Sequence, residues 1–198
     1  STPKPSSAAS DVYKRQVGPF LKIGLERDEL QYLVREDADG AIKILGHVYD
    51  GEGKPVPDAM IEIWQANIHG KYAHPDDSSE GAIIEGFSGF GRSCTDKDGK
   101  FFFVTVKPGR VSGRGNTLQA PHLAVNVFAR GMLKHQVTRI YFEDEIVSNS
   151  EDPILNSIVE KAARKTLLAK ISQSEKNNFV YSFDIRLQGE GETVFFEV

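Results

Sequence analysis

Histidine is the side chain that most readily binds metals and moves protons near neutral pH. The chain has five: His47, His69, His74, His122 and His135. None stands in a HExxH or other paired zinc spacing. His69 and His74 flank Tyr72 in a loop that also holds Gly70 and Pro75, and loop histidines of this kind are more often solvated than metal-bound. The one cysteine, Cys94, lies two residues after Arg92, whose charge would favour a thiolate, but a buried inert thiol is the plainer reading. Arg130 sits in an apolar strand-like run beside Phe128 and Asn126. A strand arginine is usually a solvated edge charge, yet its planar guanidinium also suits carboxylate recognition. There is no GxSxG elbow and no glycine-rich phosphate loop ahead of a helix. These residue types alone name no reaction.

The elements that would position them read mainly as strands. Ala41 to Tyr49 is apolar-rich and stops at the turn cluster Asp50-Gly51-Glu52-Gly53. Met60 to Trp64 alternates apolar and acidic residues, as a half-buried strand does. Phe101 to Val106 ends at Pro108-Gly109. Leu123, Val125, Val127 and Ala129 share one strand face. Val137 to Phe142, Asn178 to Leu187 and Thr193 to Val198 complete the set. A helix is expected from Pro153 to Lys170, capped by Asp152 with proline at its first position, and a short one from Arg27 to Glu36. The expected fold is mainly β, a sandwich with one or two short helices. Residues 1–16 read as a flexible arm or a non-native remnant, and residues 17–198 as one domain.

Composition bounds the function. The 198 residues are 39% hydrophobic and 26% charged, which suits one globular domain. A net charge of −4 argues against nucleic acid as a partner. No apolar run reaches the length of a membrane span, and the N-terminus lacks the apolar core of a signal peptide. A lone cysteine fits a reducing cytoplasm.

Several runs, taken in order, resemble the intradiol ring-cleaving dioxygenases. They are Gly46-His47-Val48-Tyr49-Asp50-Gly51, Glu62-Ile63-Trp64-Gln65-Ala66-Asn67 and Gly70-Lys71-Tyr72, then Lys107-Pro108-Gly109 and Ala120-Pro121-His122. Phe128-Ala129-Arg130-Gly131, Arg139 to Asp144 and Phe183 to Glu190 follow, and Glu192-Thr193-Val194-Phe195-Phe196 closes the set. The resemblance spans residues 17–198 and implies a β-sandwich. It also implies a ferric ion held by two tyrosinates and two histidines, the phenolate oxygens being hard anionic donors that favour Fe(III). The substrate it implies is a small aromatic diol, opened between its hydroxyls by O₂.

The implied ligands do not all carry over. Tyr72 matches the first tyrosine. Val111 stands at the second, and valine binds no iron. His122 matches the first histidine of the family's His-x-His pair, and Ala124 stands at the second. Gln119 stands at the place of an arginine that stabilises charge on the reacting ring. The resemblance therefore implies an iron-free subunit, inactive alone, whose Tyr72 and His122 are vestigial. Its partner would be a catalytic beta-type chain that holds the Fe(III). To that chain's active-site wall it would lend Gly18-Pro19, next to Phe20, and Arg130, whose charge would attract a carboxylated substrate. Gln16 stands about where the family's arm has a threonine. Two other readings stay open: a drifted stand-alone binding or scaffold module, and an independent enzyme with a rearranged metal site using His47, His69 or His74.

Overall fold

The computed structural model describes residues 25, 27, 29–113, 115, 117–175 and 178–197. Its strands are β1 (Ala41–Tyr49), β2 (Met60–Trp64), β3 (Phe90–Cys94), β4 (Lys100–Val106), β5 (Val111–Ser112), β6 (Leu118–Gln119), β7 (His122–Phe128) and β8 (Gln136–Phe142). Three short helices follow, α1 (Ile146–Glu151), α2 (Pro153–Ser157) and α3 (Lys161–Lys165). The chain then forms β9 (Leu168–Glu175), β10 (Asn178–Ser182) and β11 (Ile185–Arg186). No helix among the described residues is long and apolar enough to cross a membrane.

The strands form two leaves. In one, β4 runs antiparallel to β1, and β1 runs parallel to β10 and then, at Val48 and Tyr49, to β11. In the other, β3, β2, β7 and β8 are antiparallel neighbours in that order. β9 joins them: Leu168 and Ala169 pair with β8, and residues from Lys170 onward pair with β10. One long strand thus bends from leaf to leaf, with a register shift opposite Val180 and Tyr181 where the ladder must twist. This is the sandwich the alternation predicts. Along β7, Leu123, Val125 and Val127 are buried between the leaves, and Ala129 continues that face. They meet Ile61 and Ile63 from β2, Ile44 and Val48 from β1, and Phe103 from β4 in one continuous core. Burying each such side chain contributes about 1.5–3 kcal/mol.

A smaller cluster of Ala120, Tyr141, Leu155 and Leu167 lies to one side. Asp152 organises it. Its carboxyl is buried and accepts from Ile154 N at 2.9 Å, Leu155 N at 2.7 Å and Ala120 N at 2.7 Å. The Tyr141 hydroxyl approaches at 3.3 Å. The cap and the proline at the start of α2 are as the sequence indicates.

Two loops approach each other through glycine. Gly70 has φ +75°, and a Cβ there would lie 2.0 Å from the Arg110 carbonyl oxygen; one on Gly109 would lie 2.5 Å from Gly70 N. Asn67 holds the same junction. Its backbone oxygen accepts from Gly109 N, and its side-chain oxygen from His69 N and Lys71 N. The Trp64–Tyr72 segment is therefore clamped against the Lys107–Val111 segment.

Three expectations need correction. The helix expected over Pro153 to Lys170 is two pieces: Ile158, at the end of α2, and Glu160 are extended, and Leu168 to Lys170 belong to β9. No helix forms among the described residues of 27–36. After turns closed by Leu30 N→Arg27 O and Tyr32 N→Glu29 O, the chain docks on β4 through Leu33 N→Val104 O and Val104 N→Gln31 O. The C-terminal run is not a strand. Its described residues make a single bridge, Phe196 to Val137, and Phe195 and Phe196 pack on the chain's own two cores.

Asp152→Ala should lower stability by about 2–4 kcal/mol, since it removes a cap and leaves the Ala120 N–H buried without a partner. Urea unfolding measures this. Gly70→Ala should cost more than Gly40→Ala. Both have positive φ, but nothing lies within 4 Å of a Cβ on Gly40. The second substitution should lose about 1 kcal/mol, the first at least twice that.

Candidate functional site

The β2–β7–β8 ladder sets which side chains share a face. Trp64 is opposite Ala124, and Ala124 is opposite Arg139; one step along, His122 is opposite Tyr141. All point away from the Leu123–Val125 side, so His122, Ala124, Arg139, Tyr141 and Trp64 lie on one face. Tyr72 is delivered to that face by the clamped loop, its ring parallel to Trp64 with centroids 6.3 Å apart. Its backbone N–H donates to Asp77 Oδ2 at 2.6 Å. Val111 comes from the adjoining segment, at the start of β5, and is buried. Lys107 anchors that segment by hydrogen bonds to Asp144 and Glu145 and by lying over the Phe142 and Tyr181 rings. Burial opposes its charge, but the hydrogen bonds prevail and hold its pKa up, at about 12.

His122 is almost wholly buried. Its Nδ1 lies 2.8 Å from the Ala120 carbonyl oxygen, so Nδ1 carries the proton in that contact, and its ring packs on Tyr141 at 5.6 Å. Burial, reinforced by the positive charge of Arg139, lowers its pKa to about 4, so the ring is neutral at neutral pH. Burial raises the Tyr72 hydroxyl above its usual value; Asp77 adds to this and Arg139 opposes it. Tyr141 is pushed up chiefly by burial as well.

Arg139 is the residue the sequence reading missed. It extends from the strand position facing Ala124 across the ladder. Its Nη1 donates to Gln119 Oε1 at 2.6 Å and approaches the Tyr141 hydroxyl at 3.4 Å. Its charge is felt at Tyr72, His122 and Tyr141 alike. A fixed cation therefore sits amid the side chains that would have to surround a metal. In the sequence it stands only as the first residue of the run Arg139 to Asp144; its place opposite Ala124 comes from pairing with β7, a tertiary fact.

These side chains do not fit a ferric ion. Valine and alanine offer no donor at positions 111 and 124. Of the four positions, only Tyr72 and His122 keep a donor, and two protein donors leave most of the coordination sphere to solvent. Among the described residues, no group of three or more His, Cys, Asp or Glu could hold a metal. His47 lies by Asp184 on β1, and His74 contacts Asp76 in its loop. Arg92 is engaged with Glu62 across β2 and β3, and Cys94 is half-buried opposite Met60.

Arg130 is not in mid-strand: β7 ends at Phe128, and Arg130 lies in the turn beyond. Its Nε donates to Asp58, and its side chain is 61% exposed. The length of β7, roughly 20 Å at 3.3 Å per residue, separates it from His122. Gly18 and Pro19, like Phe20 and the 1–16 arm, lie outside the described residues.

Comparison with known proteins agrees with this architecture. The family described as Dioxygenase matches residues 22–189. The protocatechuate 3,4-dioxygenase alpha chain of Pseudomonas putida is 40% identical, covering 91% of this chain and 92% of that one. The alpha chain of Burkholderia cepacia is also 40% identical, covering 92% and 94%. The beta chain of Burkholderia cepacia is 34% identical, covering 77% of this chain and 66% of that one. In fold, the chain resembles 3-chlorocatechol 1,2-dioxygenase of Rhodococcus opacus 1CP, with a TM-score of 0.57 at 22% identity over 77% of this chain and 62% of that one. The two-leaf β fold and kinship over nearly the whole length lead to one conclusion: the chain belongs to the intradiol ring-cleavage dioxygenase family.

Proposed function

We propose that this chain is the alpha-type, iron-free subunit of a protocatechuate 3,4-dioxygenase. In that enzyme a beta-type chain holds the ferric ion, and protocatechuate is opened by O₂ between its hydroxyls to 3-carboxy-cis,cis-muconate. The observation that carries the reading is a contrast. The chain keeps the family fold and 40% identity to alpha chains along nearly its full length, yet two of the four positions expected to bind iron hold Val111 and Ala124. A fold retained without its donors is best explained by a duty to another chain. Kinship to a beta chain, over 77% of this chain, fits a pair of subunits sharing one ancestry.

Arg130 is the described residue best suited to that duty. It is exposed, it is oriented by Asp58, and it lies at the far end of β7 from the remnant of this chain's own site. It cannot act on a ligand beside His122. At the mouth of a neighbouring pocket its charge would attract a carboxylate and slow its departure. Gly18 and Pro19 are proposed to contribute to the same wall. Tyr72 and His122 are proposed as relics, kept by their stacking on Trp64 and Tyr141.

The lone chain should purify without stoichiometric iron and without a visible tyrosinate charge-transfer band. Co-expressed with a beta-type chain, it should yield a coloured complex that cleaves protocatechuate. Stoichiometric iron in the lone chain would overturn the assignment. In the complex, Arg130→Gln should raise KM for protocatechuate about three- to tenfold, in line with about 1 kcal/mol for an exposed ion pair. Iron content should be unchanged, and KM for uncarboxylated catechol should move far less. Equal effects on both substrates would remove Arg130 from carboxylate recognition.

A further inference from the structure

Beside the remnant site is a cavity of about 550 Å³ between the β5–β6 hairpin and α2, lined by Thr117, Gln119, Arg139, Pro153, Ile154 and Ser157. The volume lies in the range of small-molecule sites, and an apolar cavity of about 150 Å³ already accepts a benzene ring. What singles this cavity out is the state of its one cation. Arg139 is half-buried, and among the described residues no carboxylate lies within ion-pair reach of it. Its contacts there are with two neutral groups, Gln119 and the Tyr141 hydroxyl, both through Nη1. The nearby acids are otherwise engaged. Asp152 accepts from three backbone N–H groups, and Glu151 is paired with Arg110 at 2.7 Å.

The Asp152 carboxylate lies beyond the Tyr141 hydroxyl, which contacts both it and Arg139, so Arg139 has no direct ion pair among the described residues, and an anion that reaches the guanidinium directly is bound the more firmly for the partial exclusion of water. Gln119 fixes the guanidinium plane by accepting from one end and leaves Nε and Nη2 without a partner among the described residues. A planar fork in that state suits bidentate recognition of an oxyanion, and the apolar residues beside it favour an anion that carries a ring. Pro153 and Ile154 supply an apolar wall for a ring.

We propose that this cavity binds a single-ring aromatic carboxylate through Arg139, with no metal: a second ligand site, in which the guanidinium supplies the positive charge. The inference does not depend on the subunit assignment, because it concerns only this chain.

Benzoate titrated into the purified full-length chain, followed by calorimetry or ligand-observed NMR, tests it. Binding at one per chain is expected, with a dissociation constant of about 1 mM or tighter, the affinity open to so small a ligand. Arg139→Gln should weaken it at least tenfold, and Arg139→Lys by less, since lysine restores the charge without the fork. An unchanged thermal midpoint in either variant shows that the fold survives. Inorganic phosphate should displace benzoate only at tenfold or greater excess. Wild-type affinity in Arg139→Gln, absence of binding at 10 mM benzoate (about tenfold the expected constant), or displacement by phosphate at equal concentration would each overturn the proposal. None of these results bears on iron content or turnover, so failure here is separable from failure of the subunit assignment.

Discussion

A carboxyl group withdrawn from water has to be satisfied by several donors at once, and the donors it recruits become fixed relative to one another. Asp152 draws its donors from three separate parts of the chain: Ala120 ahead of β7, Tyr141 in β8, and Ile154 and Leu155 at the start of α2. Much else depends on that arrangement. Fixing Ala120 fixes the carbonyl that meets His122 Nδ1 and sets where β7 begins. It also places Gln119, one residue earlier, where it meets Arg139. Asp152 contacts no candidate ligand itself. It is the positioning residue for one whole side of the candidate site, while the Asn67 and Gly70–Gly109 junction positions the other.

Between those two supports lie Tyr72 and His122 and a fixed cation, Arg139. A metal centre needs converging donors. Here the ladder brings Arg139 opposite Ala124, so the volume released by a small side chain is beside a large charged one. The guanidinium is charged at every accessible pH and cannot leave as a metal ion can. Burial, reinforced by its field, keeps His122 neutral. For Tyr72 the two influences oppose each other, and burial prevails.

Much of the fold could be read from the sequence because most strands face one core. β1, β2, β4, β7 and β8 alternate, or run apolar, between turn signals, and their ends are marked by Gly, Asp and Pro. β3 carries no such pattern. It reads Phe-Gly-Arg-Ser-Cys, and a Cβ on Gly91 would fall 2.6 Å from the Leu33 side chain, 3.0 Å from Ile63 and 3.2 Å from the Leu30 carbonyl oxygen, a crowding that only the tertiary structure reveals. β9 was hidden because its first residues extend the spacing of α2 and α3. Only pairing with β8 and β10 makes them a strand. The site divides in the same way. Tyr72, Val111, His122 and Ala124 are found from motif position, because the motifs are local. Arg139 joins them through a register between two strands, and register is not written in either strand alone.

The same distinction explains why Arg130 and Arg139, nine residues apart in the chain, call for opposite readings. Arg130 lies beyond the end of its strand, largely exposed, with Asp58 as an ionic partner. A charge so screened contributes little to stability, and its value lies in its reach into solvent, where another chain or a diffusing anion can meet it. Arg139 lies within its strand, half-buried, with neutral partners among the described residues. Its value lies inside the fold, where partial exclusion of water magnifies each charge it meets. Burial and partner, rather than residue type, separate a cation open to solvent from one held inside the fold.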